Sequence, residues 1–336
     1  MFESVSILLL ALVIIFLAAE IFTNALEHLG ERIGVSEGVT GSIFAAVGTA
    51  MPETIVPLVA ILAGGAAESV NHEVGLGAIL GAPFMLATLS MGMMAWFAGR
   101  QRGWSAKLKP ESTGLKRDLS VFFFGYSIVI AAAFIPDSWS QIKVLLAFAL
   151  FLTYFMYLLL TIKASRELVQ NGHGTEADGA LYFSRLLGDS TAVAALQLLT
   201  GLALIIVGAK QFVHGVEGLS SLIGVSALVV SLLIIPVATE LPEKVNSILW
   251  IRKGKDTLAF GNITGAMVFQ GTVIPAAGML LIPWNMMDSY AGMAVLLAIS
   301  GNGWLWLLHR TGRLTTGLLS ASMLLYACFI FYVLLM

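Results

Sequence analysis

The sequence predicts an all-α polytopic membrane protein with about ten transmembrane helices in two inverted five-helix repeats. Three observations carry that prediction. The 336 residues are 58% hydrophobic and 11% charged, with a mean hydropathy of +0.91, far too apolar for a soluble domain of this size. The apolar residues fall in continuous runs rather than alternating, which argues against a transmembrane barrel. An unusual phrase also occurs twice, 190 residues apart.

Allowing roughly 20 residues per crossing, the apolar runs place spans at 4–26, 37–62, 74–98, 119–135, 141–162, 191–213, 225–250, 257–282, 289–308 and 314–335. The first run has no basic segment before it and no small-residue cleavage site at its end, so it reads as a retained span. The longest polar connection contains Asn171-Gly172-His173-Gly174-Thr175, a turn-rich stretch with no periodic apolar face. It divides the chain into a first repeat (1–162), a linker (163–190) and a second repeat (191–336). Residues Glu68, Asn71, His72 and Glu73 read as a short external loop. The single cysteine, Cys328, excludes an intrachain disulfide framework.

Basic residues fix the orientation. Of eighteen, fifteen fall on one side: Arg32, the loop from Arg100 to Arg117, Lys163, Arg166, Arg185, Arg252, Lys253, Lys255, Arg310 and Arg313. Lys143 and Lys210 lie toward the other side, and Lys244 lies within the seventh span. The positive-inside rule therefore makes these loops and the linker cytoplasmic and puts both termini outside. Five helices per half then give the second half the inverted topology. The location expected is a prokaryotic cell membrane, crossed many times.

The duplicated phrase carries the chemistry. Gly34-Val35-Ser36 precedes Thr49-Ala50-Met51-Pro52-Glu53, and Gly224-Val225-Ser226 precedes Thr239-Glu240-Leu241-Pro242-Glu243 at the same spacing. A carboxylate is costly in hydrocarbon, so two at repeated positions predict a cation site. Proline within a helix removes one donor and disturbs the carbonyl four residues earlier, here Gly48 and Ala238. A freed carbonyl beside a carboxylate is a hard oxygen pair suited to sodium or calcium. Gly77-Ala78-Ile79-Leu80-Gly81-Ala82 also matches Gly261-Asn262-Ile263-Thr264-Gly265-Ala266, now 184 residues apart. Glycines four apart allow close helix packing or approach of backbone to an ion.

These segments resemble the α-repeats of sodium/calcium exchangers in the calcium/cation antiporter superfamily, whose pattern is G-T-S-x-P-E followed in the next helix by G-N-x-x-G-S-N. The resemblance covers essentially the whole chain. It implies that Glu53 and Glu243 are the central cation ligands, that Thr49 and Thr239 add backbone or hydroxyl oxygen, and that spans 1 and 6 form a moving gate. The serine positions of the pattern hold Ala50, Glu240, Ala82 and Ala266, and a position often Asn or Asp in the family holds Leu86 in one copy and Gln270 in the other. Candidate cation ligands are thus Thr49, Glu53, Thr239, Glu240, Glu243 and Gln270. Glu240 reads as a third ligand, as a proton-binding coupling group, or as a carboxylate turned away to a neighbouring polar group; like charges so close would raise at least one pKa.

Glu20 and Lys210 occupy equivalent repeat positions, but inversion sends them toward opposite faces, so both are expected to snorkel. His214 reads as a solvated histidine, and the other four histidines show no metal-ligand spacing. The fourteen methionines read as lipid-facing or packing residues. No P-loop, nucleophile motif or dinucleotide fingerprint is present, so neither an enzyme nor a nucleic-acid partner is expected. No cofactor is expected; the partners are inorganic cations and membrane lipid. The expected function is alternating-access antiport of calcium against sodium. A proton-coupled calcium exchanger is the alternative, with a cation channel or a non-transporting membrane sensor as rivals from other classes.

Overall fold

The computed structural model describes residues 2–32, 53–62, 66–169, 180–284 and 289–335. Seven of the described helices are long and apolar enough to cross a membrane: Ser4–Leu26, Glu68–Arg102, Ser140–Lys163, Thr191–Ile223, Asp256–Leu281, Ser289–Arg310 and Thr316–Leu335. Two shorter apolar helices, Glu53–Leu62 and Ala227–Val237, lie within the expected spans 2 and 7. In chain order the helices are α1 (Phe2–Arg32), α2 (Glu53–Leu62), α3 (Glu68–Met85), α4 (Met91–Arg102), α5 (Ser112–Ala133), α6 (Ser140–Val169) and α7 (Ser184–Leu187). They continue as α8 (Thr191–Ile223), α9 (Ala227–Thr239), α10 (Leu241–Arg252), α11 (Asp256–Gln270), α12 (Val273–Leu281), α13 (Ser289–Arg310), α14 (Thr316–Ser320) and α15 (Met323–Leu335).

The chain folds as two compact, interleaved units, one of Met1–Gly75 with Phe155–Val225 and one of Leu76–Tyr154 with Ser226–Met336. In the first, α1 and α8 pack antiparallel along a glycine ladder. A Cβ added at Gly201 would sit 2.9 Å from Phe22 Cα, at Gly208 2.8 Å from Ile15 Cγ1, and at Gly215 3.0 Å from Leu8 Cα. As α8 advances by seven residues, α1 retreats by seven, the register of an antiparallel coiled coil. Missing side chains on α8 make the holes that Phe22, Ile15 and Leu8 fill. Ala11, Ala18 and Ala25, also seven apart and fully buried, form the complementary small column on α1. Helices of 31 and 33 residues are about 46 and 50 Å long, so both exceed a ~30 Å hydrocarbon core.

The last part of the expected linker docks on this pair. Gln197, fully buried on α8, donates to Asn24 Oδ1 and to the Ile21 carbonyl, each at 2.9 Å. Gln197 Oε1 accepts the Phe183 amide at 2.8 Å, and Asn24 Oδ1 accepts the Tyr182 amide at 3.1 Å. Arg32 and Asp189 form an ion pair. Linker residues 163–169 prolong α6, and Asn171 to Thr175 lie outside the described residues.

The expected loop at Glu68–Glu73 is instead the start of α3. Glu68 at the first turn is favoured by the helix macrodipole, and Asn71 stabilises the same turn by donating to the Ala66 carbonyl at 3.2 Å. Local helix-start chemistry outweighs the polarity that suggested a loop. Glu20 and Lys210 are exposed on α1 and α8, and His214 is half-exposed, 3.9 Å from Glu217.

In the second unit, α3 continues through a π turn (Leu86–Ser90) into α4. The basic loop after α4 is pinned: Asp256 accepts from Arg102 at 2.7 Å and from the Lys109 amide at 2.8 Å, and Lys107 bridges to Thr315. Glu111 caps α5 by accepting the Thr113 and Gly114 amides at 2.7 and 2.5 Å. Slight burial pushes its carboxyl pKa up, but those amides outweigh it and hold the carboxyl below its ordinary range. Arg100 stacks over Trp96 and Arg310 over Trp306, at 5.1 and 5.0 Å, pairings suited to a membrane interface.

Candidate functional site: a broken helix with a buried ion pair

The seventh span is not one helix. It ends as α9 at Thr239, turns at Glu240 (φ −102°, ψ 8°) and restarts as α10. Two prolines explain the break. Pro236 lies inside α9 and cannot donate to the Leu232 carbonyl. Pro242 falls in the first turn of α10, where an N–H would be unsatisfied anyway. Pro242 thus stands at the restart of an interrupted span rather than at a kink inside one helix. Glu240 and Glu243 do not share a face of one regular helix, because the chain turns at Glu240.

The carbonyl that Pro236 frees has a use in packing. Gly81 of α3 sits so close that a Cβ there would lie 2.4 Å from Leu232 O. One turn earlier, a Cβ at Gly77 would lie 2.0 Å from Ser231 Oγ and 2.5 Å from Leu228 O. The first glycine pair thus brings α3 and α9 together backbone to backbone.

Each expected ligand can now be placed. Thr49 lies outside the described residues, as does Gly34-Val35-Ser36. Glu53 is buried at 6% exposure at the first residue of α2. Thr239 is buried in the last turn of α9 and its hydroxyl donates to Ile235 O at 3.2 Å, leaving its oxygen lone pairs to accept. Glu240 is fully buried at the break. Glu243 lies in the first turn of α10, with its side chain outside the described residues. Gln270, 1% exposed, ends α11 where Gly271 and Thr272 interrupt the eighth span before α12.

Sequence reasoning missed the partner of Glu240. Lys244 is buried, with its Nζ 3.8 Å from Glu240 Oε2, and it donates to Pro236 O at 2.9 Å. Met85 Sδ of α3 lies 3.6 Å from the same nitrogen. Two signals were present in the sequence: Lys244 is a basic residue in the middle of a span rather than near its end, and it stands four residues after Glu240, a helix-neighbour spacing. Met85 is fully buried beside this charge rather than lipid-facing, and Phe84 next to it stacks on Tyr326 at 5.1 Å.

Chemically, the break joins the carbonyl end of one half-helix to a buried carboxylate, an arrangement that stabilises a cation. Around it, Asn262 of α11 donates to Ser247 of α10 at 2.9 Å, and Thr264 of α11 donates to buried Asp118 of α5 at 2.6 Å. These bonds satisfy polar groups that hydrocarbon would otherwise penalise.

Comparison with known proteins agrees along the whole chain. The family model for the sodium/calcium exchanger protein matches residues 3–163 and 193–335. The putative antiporter CaxA of Alkalimonas amylolytica is 27% identical over 304 residues, 87% of this chain and 86% of that protein. The sodium/calcium exchanger MaX1 of Methanosarcina acetivorans is 26% identical over 324 residues, 88% of each. The crystal structure of the H+/Ca2+ exchanger CAX superposes with a TM-score of 0.64 at 16% identity, over 98% of this chain and 88% of that one, a likeness of fold. Repeated phrase, helical membrane fold and full-length family match converge: this chain belongs to the sodium/calcium exchanger protein family of membrane antiporters.

Proposed function

We propose that the chain exchanges calcium for sodium by alternating access at a carboxylate site in the membrane. The observation that carries this reading is the interruption of the α9–α10 helix at Glu240, which sets half-helix carbonyls beside buried acid. Glu53 and Glu243, one from each copy, neutralise a divalent cation, and Thr49, Thr239 and Gln270 supply neutral oxygen. An empty pair of charged carboxylates resists occlusion, so a counter-ion must bind before the gate moves. The glycine-laddered α1–α8 pair is the gate. A channel would need no such counter-ion, and a pure sensor would bind without flux.

A proton-coupled exchanger is the second reading. Ala50, Ala82 and Ala266 stand where the family pattern has serine, which removes hydroxyls that sodium would use. Reconstituted vesicles with separately imposed sodium and proton gradients decide between the two. Calcium uptake is expected to follow the sodium gradient. Uptake that ignores sodium and follows pH overturns sodium coupling in favour of protons.

A further inference from the structure

We propose that the Lys244 ammonium is a tethered cation, which occupies the place of a monovalent ion beside Glu240 so that no ion from solution binds there. The inference rests on the exchange reading only for its consequence in transport; occupancy at Glu240 is a separate property.

Nζ sits where the carbonyl end of a half-helix and a carboxylate both face a single positive charge. It meets a backbone carbonyl in the last turn of α9, Pro236 O at 2.9 Å, and a carboxylate oxygen at 3.8 Å. Carbonyls at a half-helix C-terminus together with a carboxylate form a donor set that takes sodium or potassium. The ammonium supplies the same single positive charge without leaving the chain. Met85 Sδ, at 3.6 Å, is a soft neighbour that adds little for a metal ion and tolerates an ammonium.

Helix geometry explains how Lys244 gets there. Its amide closes the first turn of α10 on Glu240 O at 3.1 Å. Side chains on a helix lean toward its N-terminus, so Lys244 reaches back past Glu240 to the end of α9. A cation in the first turn of α10 opposes that helix's own dipole. The position is favourable only because α9 ends beside it and Glu240 lies within reach.

The repeat adds an independent observation. At the 190-residue offset, Glu240 corresponds to Ala50 and Lys244 to Thr54. The first copy has neither charge and the second has both. A third carboxylate for a solution cation would need no lysine beside it. A carboxylate supplied with its own counter-ion does.

The test counts sodium ions bound per chain at equilibrium, using radiolabelled sodium and the purified full-length protein, with choline holding ionic strength constant. Lys244→Met is expected to bind one sodium ion more than the wild type. The double variant Glu240→Gln/Lys244→Met removes both charges and avoids an unpaired buried one, so it is the arm that is safe for folding. It is expected to bind the wild-type number. A double variant that binds one sodium ion fewer than the wild type would show that Glu240 normally holds an ion from solution, and would overturn the proposal. So would a folded Lys244→Met with an unchanged count. Vesicle flux of the wild type is measured in parallel. A chain that binds but does not exchange would overturn the exchange reading while leaving the count at Glu240 decisive.

Discussion

The helix that follows each copy of the repeated phrase is interrupted at the same place, but in different ways. In the first copy the run Glu68–Arg102 stays continuous and absorbs the irregularity as a π turn that begins at Leu86. In the second copy α11 ends at Gln270, and a buried turn at Gly271-Thr272 precedes α12. Leu86 and Gln270 stand 184 residues apart, the offset that also relates Gly77 to Gly261. In the first copy Thr88 folds its hydroxyl onto Phe84 O at 2.6 Å and accepts Ser322 through its carbonyl, so the interruption is sealed by packing. In the second, Thr272 makes the equivalent bond onto Val268 O at 2.6 Å, and the buried amide of Gln270 stands where the first copy has Leu86. The difference teaches that equivalent positions can share a backbone interruption and a threonine bond yet differ in charge and polarity: Ala50, Thr54 and Leu86 stand where the second copy has Glu240, Lys244 and Gln270.

The largest expected effect tests whether both copies still act as one site. Charge-neutral Glu243→Gln is expected to reduce calcium flux in vesicles to the level of protein-free controls. Glu53→Gln should do the same, because one divalent ion needs both charges. Full activity in Glu243→Gln would remove the second copy from the site.

The next effect concerns the charge pair that only the second copy has. In sodium-free choline buffer, Lys244→Met leaves Glu240 buried without a counter-ion and should destabilise the protein by about 3–5 kcal/mol. Adding Glu240→Gln should restore most of that loss, read as recovery of the thermal unfolding midpoint in detergent. Equal stability of the single and double variants would mean that the two charges are not coupled.

Much of this was legible in the sequence, for physical reasons. Apolar runs must satisfy their backbone internally, so composition alone led to membrane helices. A carboxylate within an apolar run is costly in hydrocarbon, so Glu53 and Glu240, both buried, stand out in the sequence itself. What the sequence could not fix was the residue at which the seventh span breaks. Pro236 and Pro242 lie six residues apart, and either could have ended the helix; packing of Gly81 against Leu232 O accompanies the break after Thr239. The Lys244–Glu240 contact was also hidden, because a lysine within a span reads first as a topology signal and only three-dimensional placement shows its partner. The α1–α8 ladder was legible as glycine content, yet its antiparallel register needed both helices at once.

The third and fourth effects are smaller and opposite in sign, and they test the glycines. A Cβ at Gly77 meets Leu228 O at 2.5 Å, a backbone atom that cannot rotate away, so Gly77→Ala should destabilise the protein by about 1–3 kcal/mol. Its counterpart Gly261 has no atom within 4 Å of an added Cβ among the described residues. There the substitution meets no obstacle and relieves only the backbone entropy that glycine costs a helix, so Gly261→Ala should stabilise by about 0.5–1 kcal/mol. Both are read as shifts in thermal unfolding midpoint under one set of conditions. Destabilisation by both would show that the second glycine is also held against a neighbour, and would return the two copies to the same packing role. Stabilisation by Gly261→Ala alone would fix the asymmetry in the glycines as well as the charges: close approach is needed where Gly77 of α3 meets the Leu228 carbonyl of α9, and Gly261 at the matching place on α11 has no such carbonyl within 4 Å among the described residues.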